Sequence, residues 1–338
     1  MQANDIDYSA LTEPLTREDV QAYIDVYSFP DKLPARKVFG ATAVIIVVIV
    51  LLFFVSGGLT TETMITAGIA VLAVCALAIA VVLKDDRPKL VTKRAKFFKF
   101  AQTNNATALF YPEPNEYPGT LFQQGIVRMI PEAIRFMDGV EIGNYTHEIE
   151  MTRYSSSTKW GYVRIPMTRR LPHMLLDAKS NDMFSIISNI PGGFTKDQVL
   201  KLSSNFNEYF TLYAPKEYER DALYIFTPDV MAALIDFVSK FDVEIVDTDL
   251  ILYTPGHHPM GDATYLRELW QVIDTIRGEV SHQGKRYSDA RIDDKTVNVV
   301  DKPGKRLKRK LPMFAVIYVI IVAVCSVWFV VEMINIHM

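Results

Sequence analysis

Cysteine is scarce: Cys75 and Cys325 are the two in 338 residues. Two thiols cannot build a disulfide framework, and neither sits at the spacing of a zinc-ligand pair. Both fall inside long apolar runs, where a thiol behaves as a small apolar side chain. Also missing are a P-loop lysine motif, a Rossmann glycine pattern, a His-Glu-x-x-His helix, an EF-hand loop and a nucleophile elbow. That removes the enzyme classes announced by such motifs, and no cofactor is implied. A net charge of −3, from 36 basic and 39 acidic residues, gives no reason to expect nucleic acid as a partner.

What is present in quantity is apolar sequence, 49% of the chain against 22% charged. Val38 to Val55 has Thr42 as its polar interruption, Met64 to Leu83 carries no charge, and Leu311 to Val331 is again uncharged, with Tyr318 and Trp328. Each run matches the length needed to cross roughly 30 Å of hydrocarbon. Read this way, the chain is a membrane-anchored α+β protein with two N-terminal transmembrane helices and one C-terminal one. Orientation follows from the basic residues, which favour the cytoplasmic side. Lys32, Arg36 and Lys37 precede the first run, seven bases from Lys84 to Lys99 follow the second, and six from Lys302 to Lys310 precede the third. The turn Ser56 to Thr63 has none.

The resulting expectation divides the chain into a polar leader (1–37), a transmembrane hairpin (38–55 and 64–83), a cytoplasmic α+β domain with basic flanks (84–310), a third span (311–331) and an outer tail (332–338). The location it implies is multi-pass in a bacterial plasma membrane. Transport is disfavoured, because the apolar runs hold no charged residue through which charge would cross.

Within the leader, Thr16 followed by Glu18 and Asp19 predicts a capped helix over Arg17 to Tyr27. A further helix is expected near Thr92 to Gln102. Alternating β-branched and aromatic residues then predict antiparallel strands at 125–130, 134–137, 145–152 and 160–167, with a turn at Asp138-Gly139. More strands are expected at 173–177, 209–214, 223–226, 243–246 and 250–253, the last two as a hairpin closed by Asp247 to Asp249. Two amphipathic helices stand out. One starts at Thr227-Pro228 with Val230, Met231, Leu234, Phe237, Val238 and Phe241 on one face, and the other carries Leu266, Leu269, Ile273, Ile276 and Val280. An antiparallel sheet covered by helices follows.

The stretches FNEYFTLYAP (Phe206 to Pro215), ALYIFTPDVMAALIDF (Ala222 to Phe237), WGYVRIPMTRRLPHMLLDAKSND (Trp160 to Asp182) and YERDALYIFTPDVM (Tyr218 to Met231) resemble an uncharacterised, actinobacterial-type family of bacterial membrane proteins. The resemblance covers about half of the expected 84–310 domain. It implies a bacterial plasma-membrane protein with an N-terminal transmembrane hairpin and a domain of unknown function, and it transfers no catalytic residue.

Three polar clusters bear on chemistry. His257 and His258 with Asp247, Asp249 and Asp262 have the residue types of a zinc or other divalent site. Adjacent histidines point to opposite sides of an extended chain, however, and TPGHHPMGD reads as a solvated loop, so no metal is assigned. His173, Asp177 and Lys179, beside Ser180 and Asp182, are the residues around which an enzyme site would form, but a strand end followed by a capped turn explains the same residues and is the reading preferred. His147, Glu148 and Glu150 divide between two faces of a strand. Finally, Lys305, Arg306, Lys308, Arg309 and Lys310 are expected to contact anionic lipid headgroups from the end of a flexible tether, His282 to Lys310.

Two functional readings follow by exclusion. The first is a membrane-anchored cytoplasmic binding or scaffolding domain with an unknown protein partner. The alternative is an enzyme acting on a lipid or cell-envelope precursor at the cytoplasmic membrane face. Oligomeric state is unassigned.

Overall fold

One strand organises the fold. In the computed structural model, which describes residues 2–27, 42–43, 45–46, 69, 71–76, 87–151, 154–181, 193–202, 205–294 and 296–309, β4 runs unbroken over Tyr154–Ala178. It is the spine of a seven-stranded antiparallel sheet of order β1-β2-β3-β4-β6-β5, with β7 also paired to β4. The other strands are β1 (Thr107–Leu109), β2 (Val127–Arg135), β3 (Glu141–Met151), β5 (Val199–Leu200), β6 (Phe210–Tyr213) and β7 (Asp242–Pro255). Their neighbours divide along β4, with β3 paired up to Arg164 and β6 paired from Leu175 onward.

Between those partners the β4–β7 ladder shifts register twice, after Pro166 and again between Leu171 and Met174, where Pro172 lies. Proline has no N–H to give a ladder, so in sheets it concentrates at edges and bulges. The separate strand expected at 173–177 is therefore the far half of β4. For the same reason the expected hairpin at Asp247 to Asp249 is not a turn: Asp247 stays paired with Leu171 at φ 55°, a bulge within the continuous β7. The turn at Asp138-Gly139 does close a hairpin, between β2 and β3. Gly139 has φ 84°, and the Phe136 N–H donates to the Val140 carbonyl at 2.8 Å.

The chain divides into two compact units, residues 1–8 with 101–338, and residues 9–100. The smaller contains α1 (Ser9–Thr12), α2 (Arg17–Val26) and most of α3 (Arg87–Thr103). Thr16 caps α2 reciprocally with Asp19, and Lys99 reaches the same aspartate at 2.9 Å. Phe98 of α3 packs edge-on against Tyr23 and Tyr27.

In the larger unit, alternation along β4 sends Trp160, Tyr162 and Arg164 to one face and Gly161, Val163 and Ile165 to the other. The first face is covered by the loop around Tyr117, Leu121 and Phe122. The Phe122 ring, fully buried, lies about 5 Å from those of Tyr117, Tyr145 and Tyr162. Against the second face packs α7 (Ala263–Gly284), capped by Asp262, with Leu266, Leu269, Trp270, Ile273, Ile276 and Val280 buried. Among the described residues the unit's other α-helices are α4 (Phe206–Tyr209), α5 (Glu219–Ile225) and α6 (Pro228–Ala233).

Two expectations change here. Leu223 to Phe226 is not a strand, because Ala222 and Ile225, three apart, are the residues of α5 that are buried, a helical spacing. After α6 the chain widens into a π turn, Leu234–Val238. The buried stripe then runs Val230, Leu234, Val238, and Phe237 is turned outward at 53% exposure.

The three-span architecture is corrected. Among the described residues no helix is long and apolar enough to cross a membrane, and the multi-pass plasma-membrane location falls with it. The longest described helix, α7, carries Arg267, Glu268, Asp274, Arg277 and Glu279 within its 22 residues, where a span requires about 20 predominantly apolar ones. The runs 38–55, 64–83 and 311–331 lie for the most part outside the described residues.

Candidate functional site

Among the described residues of the larger unit, two polar constellations bear most on function, one closed and one open. The closed one centres on Glu244. Its strand context, Val-Glu-Ile-Val, places a carboxylate among buried apolar residues of β7, and the side chain is fully buried. Four donors meet it: the Thr120 N–H at 2.8 Å, the Thr120 hydroxyl at 2.5 Å, the Tyr253 hydroxyl at 2.6 Å and His173 Nε2 at 2.7 Å. Burial alone would raise this carboxyl, but the hydrogen bonds and the adjacent imidazole hold it below the usual range. On the other side of the imidazole, the Leu307 N–H donates to Nδ1 at 3.0 Å. That nitrogen therefore carries no proton, and the ring N–H is the one on Nε2, directed at Glu244.

A histidine oriented by a carboxylate is the core of many general-base sites. Here both ring nitrogens and both carboxylate oxygens are already engaged. The neighbouring gap, lined by Thr120, Leu121, Trp160, Leu175, Glu244 and Tyr253, has no room for a water molecule. The arrangement joins four pieces of chain, namely the 110–124 loop, β4, β7 and the C-terminal segment. It leaves no face for a substrate.

A second buried carboxylate, Glu141, accepts from the Tyr117 and Tyr162 hydroxyls at 2.6 Å each and from Arg135 at 2.8 Å. Beside it Arg164 pairs with Asp249 at 2.9 Å, and burial lifts the Asp249 carboxyl above its ordinary range despite that partner.

The open constellation lies where α7 ends. A cleft of about 490 Å³ is lined by Arg220, Asp221 and Tyr224 of α5 and by Arg286, Tyr287, Ser288, Ala290 and Arg291. Its base is tied down by Asp289, which is buried and receives the Tyr218 hydroxyl (2.8 Å), the Arg291 guanidinium (3.1 Å) and the Asp301 N–H (2.9 Å). Burial opposes ionisation of Asp289, and these donors outweigh it, leaving the carboxyl below its usual range. Arg291 also reaches Asp221 at 3.1 Å and lies over the Tyr218 ring, 3.7 Å from its centre. Tyr287 donates its hydroxyl to Asp221 at 2.8 Å, and burial, with Asp221 beside it, pushes that phenol well up. Arg220 and Arg286 are exposed, and their guanidiniums have no ion-pair or hydrogen-bond partner among the described residues.

The residues expected from the sequence fall elsewhere. His173 and Lys179 do not meet: His173 is held by Glu244 and Leu307, while the Lys179 ammonium donates to the Asn207 carbonyl. Asp177 is buried on β4, opposite Thr211 of β6. The five residues of the His257–His258 cluster go to separate partners. His257 meets the Thr146 hydroxyl, His258 meets Tyr265, Asp249 meets Arg164, Asp247 meets Arg170 and Arg306, and Asp262 caps α7. The loop itself is not simply solvated. His258 is 3% exposed, its backbone N–H and carbonyl are clamped by the Asn144 amide, and its ring lies flat on Gly161, where a Cβ would come within 2.6 Å of it.

The basic run is placed on the domain. Arg306 pairs with Asp247 at 2.7 Å, the Lys308 N–H donates to Gln198 at 2.8 Å, Arg309 reaches the Thr120 carbonyl at 3.4 Å, and Lys305 is exposed. Lys310 lies outside the described residues. The expected tether is thus a strap, with Val300 and Leu307 buried.

Sequence reading missed Glu244, Arg220 and Arg286. For Glu244 the signal was available, since an acid between Val243 and Ile245 in a strand is costly to bury unless paired. For the two arginines there was none, because they come together only in the folded chain.

No protein-family model matches the chain, and neither does any curated protein. One solved structure is similar, the crystal structure of the mycobacterial trehalose monomycolate transport factor A, TtfA, at 8% identity over 53% of this chain and 93% of that one, with a TM-score of 0.32. A TM-score that low carries no argument about fold or function.

Proposed function

We propose that this protein is a binding or scaffolding module and that its recognition site is the arginine-lined cleft at the end of α7. The observation that carries the reading is the contrast between the two constellations. The carboxylate–histidine pair, which has the chemistry for acid–base catalysis, is internally satisfied and shut from solvent. The open concavity carries two guanidiniums without carboxylate partners among the described residues. Ligand sites are concave and display a few fixed polar groups, and this cleft has both properties, with Asp289 and Arg291 fixing its base.

A fragment screen by ligand-observed NMR on the full chain tests the reading. Anionic fragments are expected to bind, neutral and cationic ones not, with binding lost in Arg286→Gln and retained in His173→Gln. Fragments that are chemically converted, or that depend on His173 and not on Arg286, would overturn it.

A further inference from the structure

If the protein is a binding module, as proposed, the cleft's own chemistry narrows the class of ligand. Of its three arginines, Arg291 is neutralised by Asp221 and Asp289. Arg220 and Arg286 have no ion-pair partner among the described residues, so the lining holds two unpaired guanidiniums. Ser288, exposed on the same lining, adds a hydroxyl able to donate. Beside these lies an aromatic ledge, in which Tyr224, 40% exposed, meets Tyr287 with ring centres 6.3 Å apart.

We infer that the cleft takes a phosphate monoester attached to an aromatic or otherwise planar body. A phosphate monoester carries about −1.5 to −2 charges near neutral pH and three acceptor oxygens, which suits two guanidiniums and a hydroxyl. Guanidinium forks pair with such oxygens through parallel N–H donors. A monocarboxylate would leave one arginine uncompensated. The planar body follows from Tyr224, whose exposed ring offers a stacking surface at the edge of the charged floor.

The rigidity of that floor supports the assignment. Gly304, on the strap, lies where a Cβ would come within 2.4 Å of the Tyr218 ring, so strap, Tyr218, Asp289 and Arg291 form one packed unit beneath the cleft. A site held this way loses little freedom when it binds.

Calorimetric titration of the full chain with inorganic phosphate, phenyl phosphate and succinate at constant ionic strength is the test. Phenyl phosphate is expected to bind more tightly than inorganic phosphate. Arg220→Gln and Arg286→Gln should each weaken it about tenfold or more, Tyr224→Ala should remove the preference for the phenyl ester, and Lys240→Gln, a charge change away from the cleft, should alter nothing. Competition by phosphatidic acid vesicles would identify a lipid headgroup as the phosphate source, and its absence a soluble ester.

Binding of succinate but of neither phosphate, lost in Arg286→Gln, would overturn the phosphate assignment and leave the binding reading standing. Release of phenol would overturn the binding reading itself. Equal losses in Lys240→Gln and the arginine variants would show charge attraction without a site, and would overturn the inference.

Discussion

His258 shows how a single side chain can couple fold and solution conditions. Its ring rests on Gly161, donates or accepts at Tyr265, and is buried to the point that its pKa falls from 6.5 to about 4. The fold therefore favours the neutral ring. An unfolded chain takes up this proton near pH 6.5, the folded chain only near 4, so stability is complete above the higher value and declines as pH drops between the two. Across that window the loss from this group alone approaches about 3 kcal/mol. His147, buried with neither ring nitrogen hydrogen-bonded among the described residues, is also lowered by burial and acts in the same direction. Urea unfolding at several pH values between 7 and 4 is the measurement. Wild type should lose stability through this range, and His258→Phe, whatever its stability at pH 7, should lose much less. A slope unchanged by the substitution would show that the proton goes elsewhere.

Among the elements, α7 depends most plainly on a local signal. Asp262 accepts from the N–H groups of Thr264 and Tyr265, at 2.9 and 3.1 Å, two of the donors that a helix start leaves without partners. Asp262→Ala should cost about 1 kcal/mol, read as a shift of the denaturation midpoint at constant slope, while Asp262→Asn should keep most of the stability. Such signals are short in range, which is why α2, α6 and α7 are legible from Thr16, Thr227 and the apolar stripe. The misread elements are those whose state is set from outside. Leu223 to Phe226 has the composition of a strand but lies beside α7 as a helix. Asp247 looks like a turn residue, yet β4 alongside is long enough to keep β7 in one piece through a bulge.

For the larger unit as a whole, the strap from Lys285 to Arg309 decides how much of the chain is structured. It has little regular structure beyond the short turn at Lys302–Gly304, and composition alone reads it as a tether. It is nevertheless held to the rest of the unit: the Asn298 side chain accepts from the Arg170 N–H of β4, the Leu307 N–H donates to His173 and the Lys308 N–H to Gln198, while within the strap the Asp301 N–H donates to Asp289. Six bases between 302 and 310 make it an obvious trypsin target. Limited trypsinolysis should nonetheless leave Lys302 to Lys308 uncut under conditions that cleave an exposed linker. Leu307→Ala, which opens a cavity beside His173 and should cost about 2–5 kcal/mol, should make the same bonds labile. Immediate cleavage of wild type within the strap would contradict its docking.

Periodicity and caps are properties of neighbouring residues. From them the sequence determined the antiparallel strands around the Asp138-Gly139 turn, although it split the single strand β2 into 125–130 and 134–137, together with the leader helix and the buried stripe of α7. Long apolar runs are equally visible and read as membrane spans. That reading is corrected by the absence of any sufficiently long apolar helix among the described residues. The tertiary structure alone decided that His173 faces Glu244 and not Asp177 or Lys179, that His258 is buried and His257 is not, and that Arg220 and Arg286, 66 residues apart in sequence, line one cleft. Each of these depends on which distant group fills the space next to a side chain, and no local pattern carries that information.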